Sequence, residues 1–354
     1  MSPRGSGQAR QRRATLADVG RHAGVDTSVV SRVLSNDPIL NIRDETRERV
    51  LASVSELGYV VNAAARSLRT ARTGTIGLFI PDFANPVYAE IISGAEAAAT
   101  ARGYALVTGS SGASGATPQT YLDLLGQGRV DGLLLAGDAL TPAVRKALDE
   151  FNLPYLLLNR KMRGSHRFVV LDDEKAAGLA VDHLVELGHT RIAHLAGPAG
   201  ADTAQRRRAG YLAALKQAGL PHDPDMVIAA DYTPEGGVAG MTQLMKLRSR
   251  PTAVVVSNFA AAIGALGAAR ASGVSVPGEV SVVTIHDSPL AEFLVPSLTA
   301  VRMPLEELGR RAVDRLLSRR FDDAVEEVVT GPIELVARRS SAPPPAGSKR
   351  KAAK

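Results

Sequence analysis

The segment Thr15–Leu34, TLADVGRHAGVDTSVVSRVL, constrains the fold more than any other stretch of the chain. Thr15 is suited to cap a first helix, on which Leu16, Val19 and Ala23 share a face at i, i+3 and i+7. Gly24 provides a turn where a side chain would crowd. Asp26 can cap a second helix that turns Val30, Val33 and Leu34 inward and leaves Thr27, Ser28, Ser31 and Arg32 outward. Two short helices joined by a glycine-containing turn form the helix-turn-helix pattern, whose second helix enters the major groove of DNA. The same pattern also suits a helical hairpin in an all-α core, so the neighbouring sequence has to decide.

A polar loop, SNDPILNIRDE, comes next, and then a third helix expected from Asp44 as N-cap to Leu57, closed by Gly58. Val50, Leu51, Val54 and Leu57 form its expected apolar stripe. Three small helices complete a DNA-reading head. The charge distribution agrees: residues 1–73 hold 12 arginines against seven acids, whereas residues 74–337 hold 24 bases against 29 acids. A basic module beside an acidic body suits a polyanion held by the first part alone. Residues 1–13 read as a disordered basic arm and residues 341–354 as a disordered basic tail. The stretch Asn62–Thr73, NAAARSLRTART, favours helix but is too short to hold one unaided. It is either a plain linker or a hinge that folds against DNA, with Arg66, Arg69 and Arg72 toward phosphate.

From Thr75 onward short apolar runs alternate with helix-period segments. The runs are 75–81, 104–110, 130–137, 153–159, 191–197, 252–258 and 280–286; the helical segments are 87–102, 118–127, 141–150, 174–187, 204–218, 236–247, 260–272 and 304–320. This alternation predicts an α/β body of two doubly wound lobes of parallel sheet, with a ligand between them at the carboxyl ends of the strands. Enzyme chemistry finds no support. There is no GxGxxG after the first strand, no GxxxxGK[ST] and no GxSxG, and the chain has no cysteine. The seven histidines fall at no metal-ligand spacing, so neither metal nor cofactor is expected. No apolar run is long enough to span a membrane, and the N-terminus lacks the apolar core of a secretion signal, so a cytoplasmic location is expected.

The order TLADVGRHAGVDTSVVSRVL, then ETRERVLASVSELGYVVNAAARSLRTARTGTIGLFIPDFANPVYAEI, resembles the LacI family of bacterial transcriptional repressors, over roughly residues 14–340. The resemblance implies a helix-turn-helix domain at 14–61, a hinge at 62–73 and a periplasmic-binding-protein-like body at 74–340. It implies a homodimer, with a tetramer also open, whose paired heads read a palindromic operator in double-stranded DNA. A small effector in the cleft between lobes then alters DNA affinity. A sugar is expected; a purine corepressor is the alternative, and a binding protein without a DNA role is a third reading.

Position by position, the resemblance makes Thr27, Ser28 and Arg32 base readers and Thr15, Ser31 and Asn36 phosphate contacts. Ala65 and Leu68 become minor-groove residues, Leu68 as the wedge. For the effector it implies Asp82, Asn85, Val87, Tyr88, Asn159, Thr203, Arg207, Tyr232, Asn258 and His286. Three departures stand out. Val61 replaces a usual proline, the loop at Pro38–Asn41 is about two residues long in excess, and His286 and Phe259 replace acids. The last change makes the expected pocket less anionic and more apolar.

Overall fold

The computed structural model describes residues 14–35, 37, 39–59, 72–110, 129–137, 142–150, 153–318 and 324–345. They divide into two compact units, residues 1–73 and 74–354. In the first unit, α1 (Leu16–Ala23), α2 (Thr27–Leu34) and α3 (Asp44–Glu56) enclose a core of Val19, Ala23, Val30, Val33 and Val50. Thr15 and Asp18 form a reciprocal capping box at the start of α1. Gly24 turns the chain in the left-handed region, at φ 65°. The turn is tight: a Cβ on Gly20 would lie 2.9 Å from the Val25 carbonyl oxygen. Asp26 caps α2, accepting from the Ser28 amide at 2.8 Å.

Two local expectations fail here. The N-cap of α3 is Arg43, without a side-chain cap, and Asp44 is already helical. Leu51 is exposed; Ser53 is buried instead, its hydroxyl meeting His22 Nδ1 at 2.9 Å and donating to the Arg49 carbonyl. A serine that satisfies itself on its own helix can take an inward position at little cost.

The second unit contains two six-stranded sheets. The first runs in the order β11-β5-β4-β3-β1-β2, all parallel, from β1 (Thr75–Ile80), β2 (Ala105–Ser110), β3 (Leu133–Ala136), β4 (Tyr155–Leu158), β5 (Arg167–Leu171) and β11 (Val325–Val329). The second runs β12-β10-β9-β8-β6-β7, from β6 (Ile192–Ala196), β7 (Val227–Ala229), β8 (Ala253–Val256), β9 (Ser281–Ile285), β10 (Thr299–Arg302) and an antiparallel β12 (Glu334–Val336). Helices α4 (Val87–Ala101), α5 (Pro142–Glu150) and α10 (Leu305–Leu316) cover the first sheet. Helices α6 (Asp173–Glu186), α7 (Asp202–Gln217), α8 (Pro234–Met245) and α9 (Phe259–Ala271) cover the second. The chain crosses between lobes three times: after β5, after β10 and after β11.

The period-two pattern is visible along β1. Ile76, Leu78 and Ile80 enter the core under α4 and α10, while Phe79 enters the one under α5. Five strands, β5, β7, β10, β11 and β12, were absent from the expected runs. All are three to five residues long, and β7, β11 and β12 are the edge strands of their sheets. The expected helix at 118–127 lies outside the described residues. The expected tail begins too early, because Ser341 and Ala342 belong to the second lobe. The Ala342 amide donates to Ser281 Oγ at 3.0 Å, and His183 meets Ser341 Oγ at 2.9 Å.

Helices on the lobes meet through glycine. A Cβ on Gly94 of α4 would lie 1.9 Å from the Glu306 carbonyl oxygen of α10, and backbone cannot yield as a side chain can. Gly94→Ala is expected to cost about 2–3 kcal/mol, lowering the melting temperature by roughly 4–10 °C. Gly178→Ala in α6, where a Cβ meets nothing within 4 Å, raises it. Calorimetry on the two variants checks the contrast.

Candidate functional site

The body carries a cavity of about 330 Å³ at the carboxyl ends of the strands of both sheets. Each wall comes from a strand end. Pro81, Asn85, Val87 and Tyr88 follow β1, Gly137 follows β3, and Asn159 and Arg160 follow β4. From the second lobe come Pro198, Gly200, Ala201 and Thr203 after β6, Tyr232 after β7, Asn258 after β8 and His286 after β9. Nine of the ten side chains expected around an effector therefore line one space. Asp82 does not: it is exposed, and its carboxylate accepts from the Ala84 amide at 2.9 Å in a local turn.

Arg207, on α7, is the buried centre of the site, 2% exposed. Its Nε donates to Asp173 Oδ1 at 2.7 Å, its Nη1 to the Ser257 carbonyl at 2.5 Å, and its Nη2 to His286 Nε2 at 3.2 Å. Burial is the largest single influence and opposes its charge, but the Asp173 carboxylate together with Tyr232 and Tyr88 raises its pKa. Asp173 is itself fully buried and also accepts from Arg206 Nη1. The guanidinium lies 5.8 Å from the Tyr232 ring centre. Tyr232 fits there because a Cβ on Gly197 would stand 2.1 Å from its ring. Its hydroxyl pairs with Thr203 Oγ1 at 2.9 Å.

The protonation of His286 follows from its neighbour. A guanidinium can only donate, so Nε2 accepts and the proton sits on Nδ1. Burial, then the Arg207 charge, holds the His286 pKa well below its usual value, keeping the ring neutral. Nδ1 is buried and has no partner among the described residues, and the same holds for Asn159 Oδ1. Among the described residues these two are the non-glycine positions in the left-handed backbone region, at φ 69° and 61°. Such backbone costs energy, and here it falls on two residues that line the same cavity. Asn258 is different. Its Oδ1 caps α9 through the Ala261 amide at 3.0 Å and its Nδ2 donates to the Tyr232 carbonyl, so its polar atoms are spent on structure.

Among the residues expected at DNA, Thr27 and Ser28 are exposed and Ser31 is half-buried on α2. Arg32 donates from Nε to Asp37 Oδ2 at 2.8 Å. Thr15 serves the α1 cap. Asn36, Ala65 and Leu68 lie outside the described residues. The sequence reading missed Arg160 and the buried Asp173. The signal for Asp173 was the pair Asp172-Asp173 between an apolar run and a helix, where acids favour the helix start. Among the described residues no group of three or more His, Asp or Glu could hold a metal, and no helix is long and apolar enough to cross a membrane.

Comparison with known proteins agrees with this architecture. The model of bacterial regulatory proteins of the lacI family matches residues 15–62, and that of the periplasmic binding protein-like domain matches residues 181–341. The HTH-type transcriptional repressor PurR of Erwinia tasmaniensis is 36% identical over 94% of this chain and 98% of its own. The crystal structure of the lac repressor dimer bound to operator and an anti-inducer superposes with a TM-score of 0.80 at 28% identity, over 94% of this chain and all of that one. The transcriptional regulator CelR in complex with cellobiose gives 0.69 at 33% identity, over 93% of this chain and all of that one.

A second buried histidine gives the body a pH dependence. Burial pushes the His194 pKa down to about 4; its Nδ1 meets the Val255 carbonyl at 3.0 Å. The unfolded chain takes up this proton near pH 6.5 and the native state does not. Stability is therefore full above about 6.5 and falls as pH drops toward 4, by about 3 kcal/mol from this group. Urea unfolding from pH 7 to 4.5 is expected to show that loss, with a shallower slope in His194→Gln; an equal slope in the variant contradicts it.

Proposed function

Because this chain belongs to the LacI family of bacterial regulatory proteins and is a DNA-binding transcriptional repressor, we propose that a sugar-type effector in the interlobe cavity controls its grip on a palindromic operator. The carrying observation is a cavity that holds the Tyr232 ring and is lined by His286 and Asn159, whose buried Nδ1 and Oδ1 have no hydrogen-bond partner among the described residues. A hydroxyl both donates and accepts, and a sugar ring presents an apolar face to an aromatic side chain. The relative solved with cellobiose supports the sugar class. A ligand touching both lobes favours one lobe arrangement over another and so changes how the two heads engage DNA.

The reading includes a homodimer. Leu290, Phe293 and Val295 expose apolar side chains within one short segment of the second lobe, at 57%, 78% and 89%. A self-complementary patch of this kind suits a two-fold interface. At DNA, Arg32 on α2 supplies the guanidinium fork for guanine, with Thr27 and Ser28 beside it; Ala65 and Leu68 complete the minor-groove contact.

The test is DNA binding across salt and sequence. Affinity is expected to fall steeply with salt. Arg32→Ala is expected to cost about 1–3 kcal/mol of discrimination against a changed guanine in each half-site while sparing non-specific binding. Fluorescence anisotropy on matched and single-substituted operators measures both. Unchanged discrimination removes Arg32 from the base-reading role.

A further inference from the structure

An acid beside the DNA-reading helix is set in place by the backbone around it. Arg32 stands in the last turn of α2, and Asp37 lies just beyond the helix end, at the entrance to the long loop around Pro38–Asn41. Three hydrogen bonds with backbone groups hold Asp37. Its amide donates to the Arg32 carbonyl at 3.1 Å, its carbonyl accepts from the Leu40 amide at 3.1 Å, and its Oδ1 accepts from the Ile39 amide at 2.9 Å. The last of these closes an Asx turn, which aspartate and asparagine both form. The other carboxylate oxygen, Oδ2, accepts from Arg32 Nε at 2.8 Å. Among the described residues the Arg32 guanidinium makes no other hydrogen bond.

A partly exposed ion pair of this kind adds little to stability, because ordering the side chains offsets the attraction. Its effect on recognition is larger. A carboxylate beside a basic head weakens the attraction for phosphate, yet this one holds the single guanidinium that α2 carries. A guanidinium reads guanine through two parallel N–H bonds to O6 and N7, which requires its plane to be set. A carboxylate on Nε sets that plane and leaves the Nη1–Nη2 edge for the base. Rotamer freedom that Arg32 would otherwise lose on DNA is then already lost in the free protein. We propose that Asp37 is a positioning residue for base reading, its carboxylate holding the Arg32 guanidinium in the plane that pairs with guanine. The proposal rests on Arg32 reading guanine.

Asp37→Asn separates this role from the shape of the loop. An asparagine Oδ1 still closes the turn, while Nδ2 offers Arg32 a donor in place of an acceptor. Asp37→Ser, which also closes such a turn without charge, is carried beside it. Full-length protein is titrated by fluorescence anisotropy with a palindromic duplex that the unmodified protein selects from a random-sequence pool. Duplexes with each half-site guanine changed to adenine, and one unrelated duplex, complete the set. Asp37→Asn is expected to lower discrimination at one half-site guanine by about threefold or more, while affinity for the unrelated duplex holds or rises and the melting temperature stays unchanged. In an Arg32→Ala background the same substitution is expected to leave discrimination at that guanine where it stands. Undiminished discrimination in both Asp37 variants, with Arg32→Ala losing it, overturns the positioning role and keeps Arg32 as the reader. A loss of equal size with Arg32 absent overturns it too. So does a joint fall in specific and unrelated affinity with a lower melting temperature, which marks a purely structural role. Unchanged discrimination in Arg32→Ala removes the guanine reading itself, and the proposal with it.

Discussion

The buried ion pair between Arg207 and Asp173 is the contact on which the body's architecture turns. Neither side chain has meaningful access to water. Burial of two charges is costly unless each is fully engaged, and removal of one partner from such a pair costs about 3–5 kcal/mol. Here the engagement is complete from several sides. Asp173 opens α6, so the helix dipole favours its charge, and two guanidiniums share its oxygens. Arg207 reaches past it to the end of β8, through the Ser257 carbonyl, and to the end of β9, through His286. One pair thus fixes the first interlobe crossing against the strand ends that shape the cavity.

The same pair sets the chemistry of that cavity. Since Arg207 can only donate, it dictates the tautomer of His286 and leaves a proton on the nitrogen that has no partner among the described residues. Its neighbour Arg206 ties the lobes together, donating to the Leu171 carbonyl at the end of β5 and to Asp202. Asp202 in turn receives the Lys161 amide of the first lobe. Interlobe contacts made of a few directional hydrogen bonds beside a ligand site are well placed to be rearranged by a ligand, and a difference in such contacts is what a regulatory equilibrium needs. Asp287, next to His286, is gripped by Arg338 and Arg302, the latter at the end of β10 just before the second crossing. The cavity floor is therefore joined to two of the three crossings.

What could be read from the residues divides along physical lines. Long apolar runs such as TIGLFI and AVVV are legible because a strand buried on both faces is continuous in hydrophobicity. Edge strands are not: VEEVV alternates half-buried and exposed positions before ending on the buried Val329. In the head, turn glycines and capping acids mark the helix boundaries to within a residue, including α3, where Arg43 rather than Asp44 is the N-cap. Leu51 shows the limit of periodicity, which places a side chain on a helix but does not say which stripe a neighbour will cover. The cavity residues came from resemblance, and Asp82 and Asn258 show what that omits. Asp82 turns into its own loop, and Asn258 precedes Phe259-Ala260-Ala261, the pattern of a helix cap. The orphan atoms of Asn159 and His286 depend on backbone at positive φ and on contacts across α7, which no local pattern encodes.

A charged Arg207 holds the buried His286 neutral, with its proton on Nδ1. Nitrogen-15 NMR of histidine-labelled protein measures this directly, with the His286 signals assigned by their loss in His286→Asn. Nδ1 is expected to be pyrrole-like and Nε2 pyridine-like, unchanged from about pH 8 down to about pH 6, where an ordinary histidine would already be protonating. A proton on Nε2, or an imidazolium forming near pH 6.5, would contradict it.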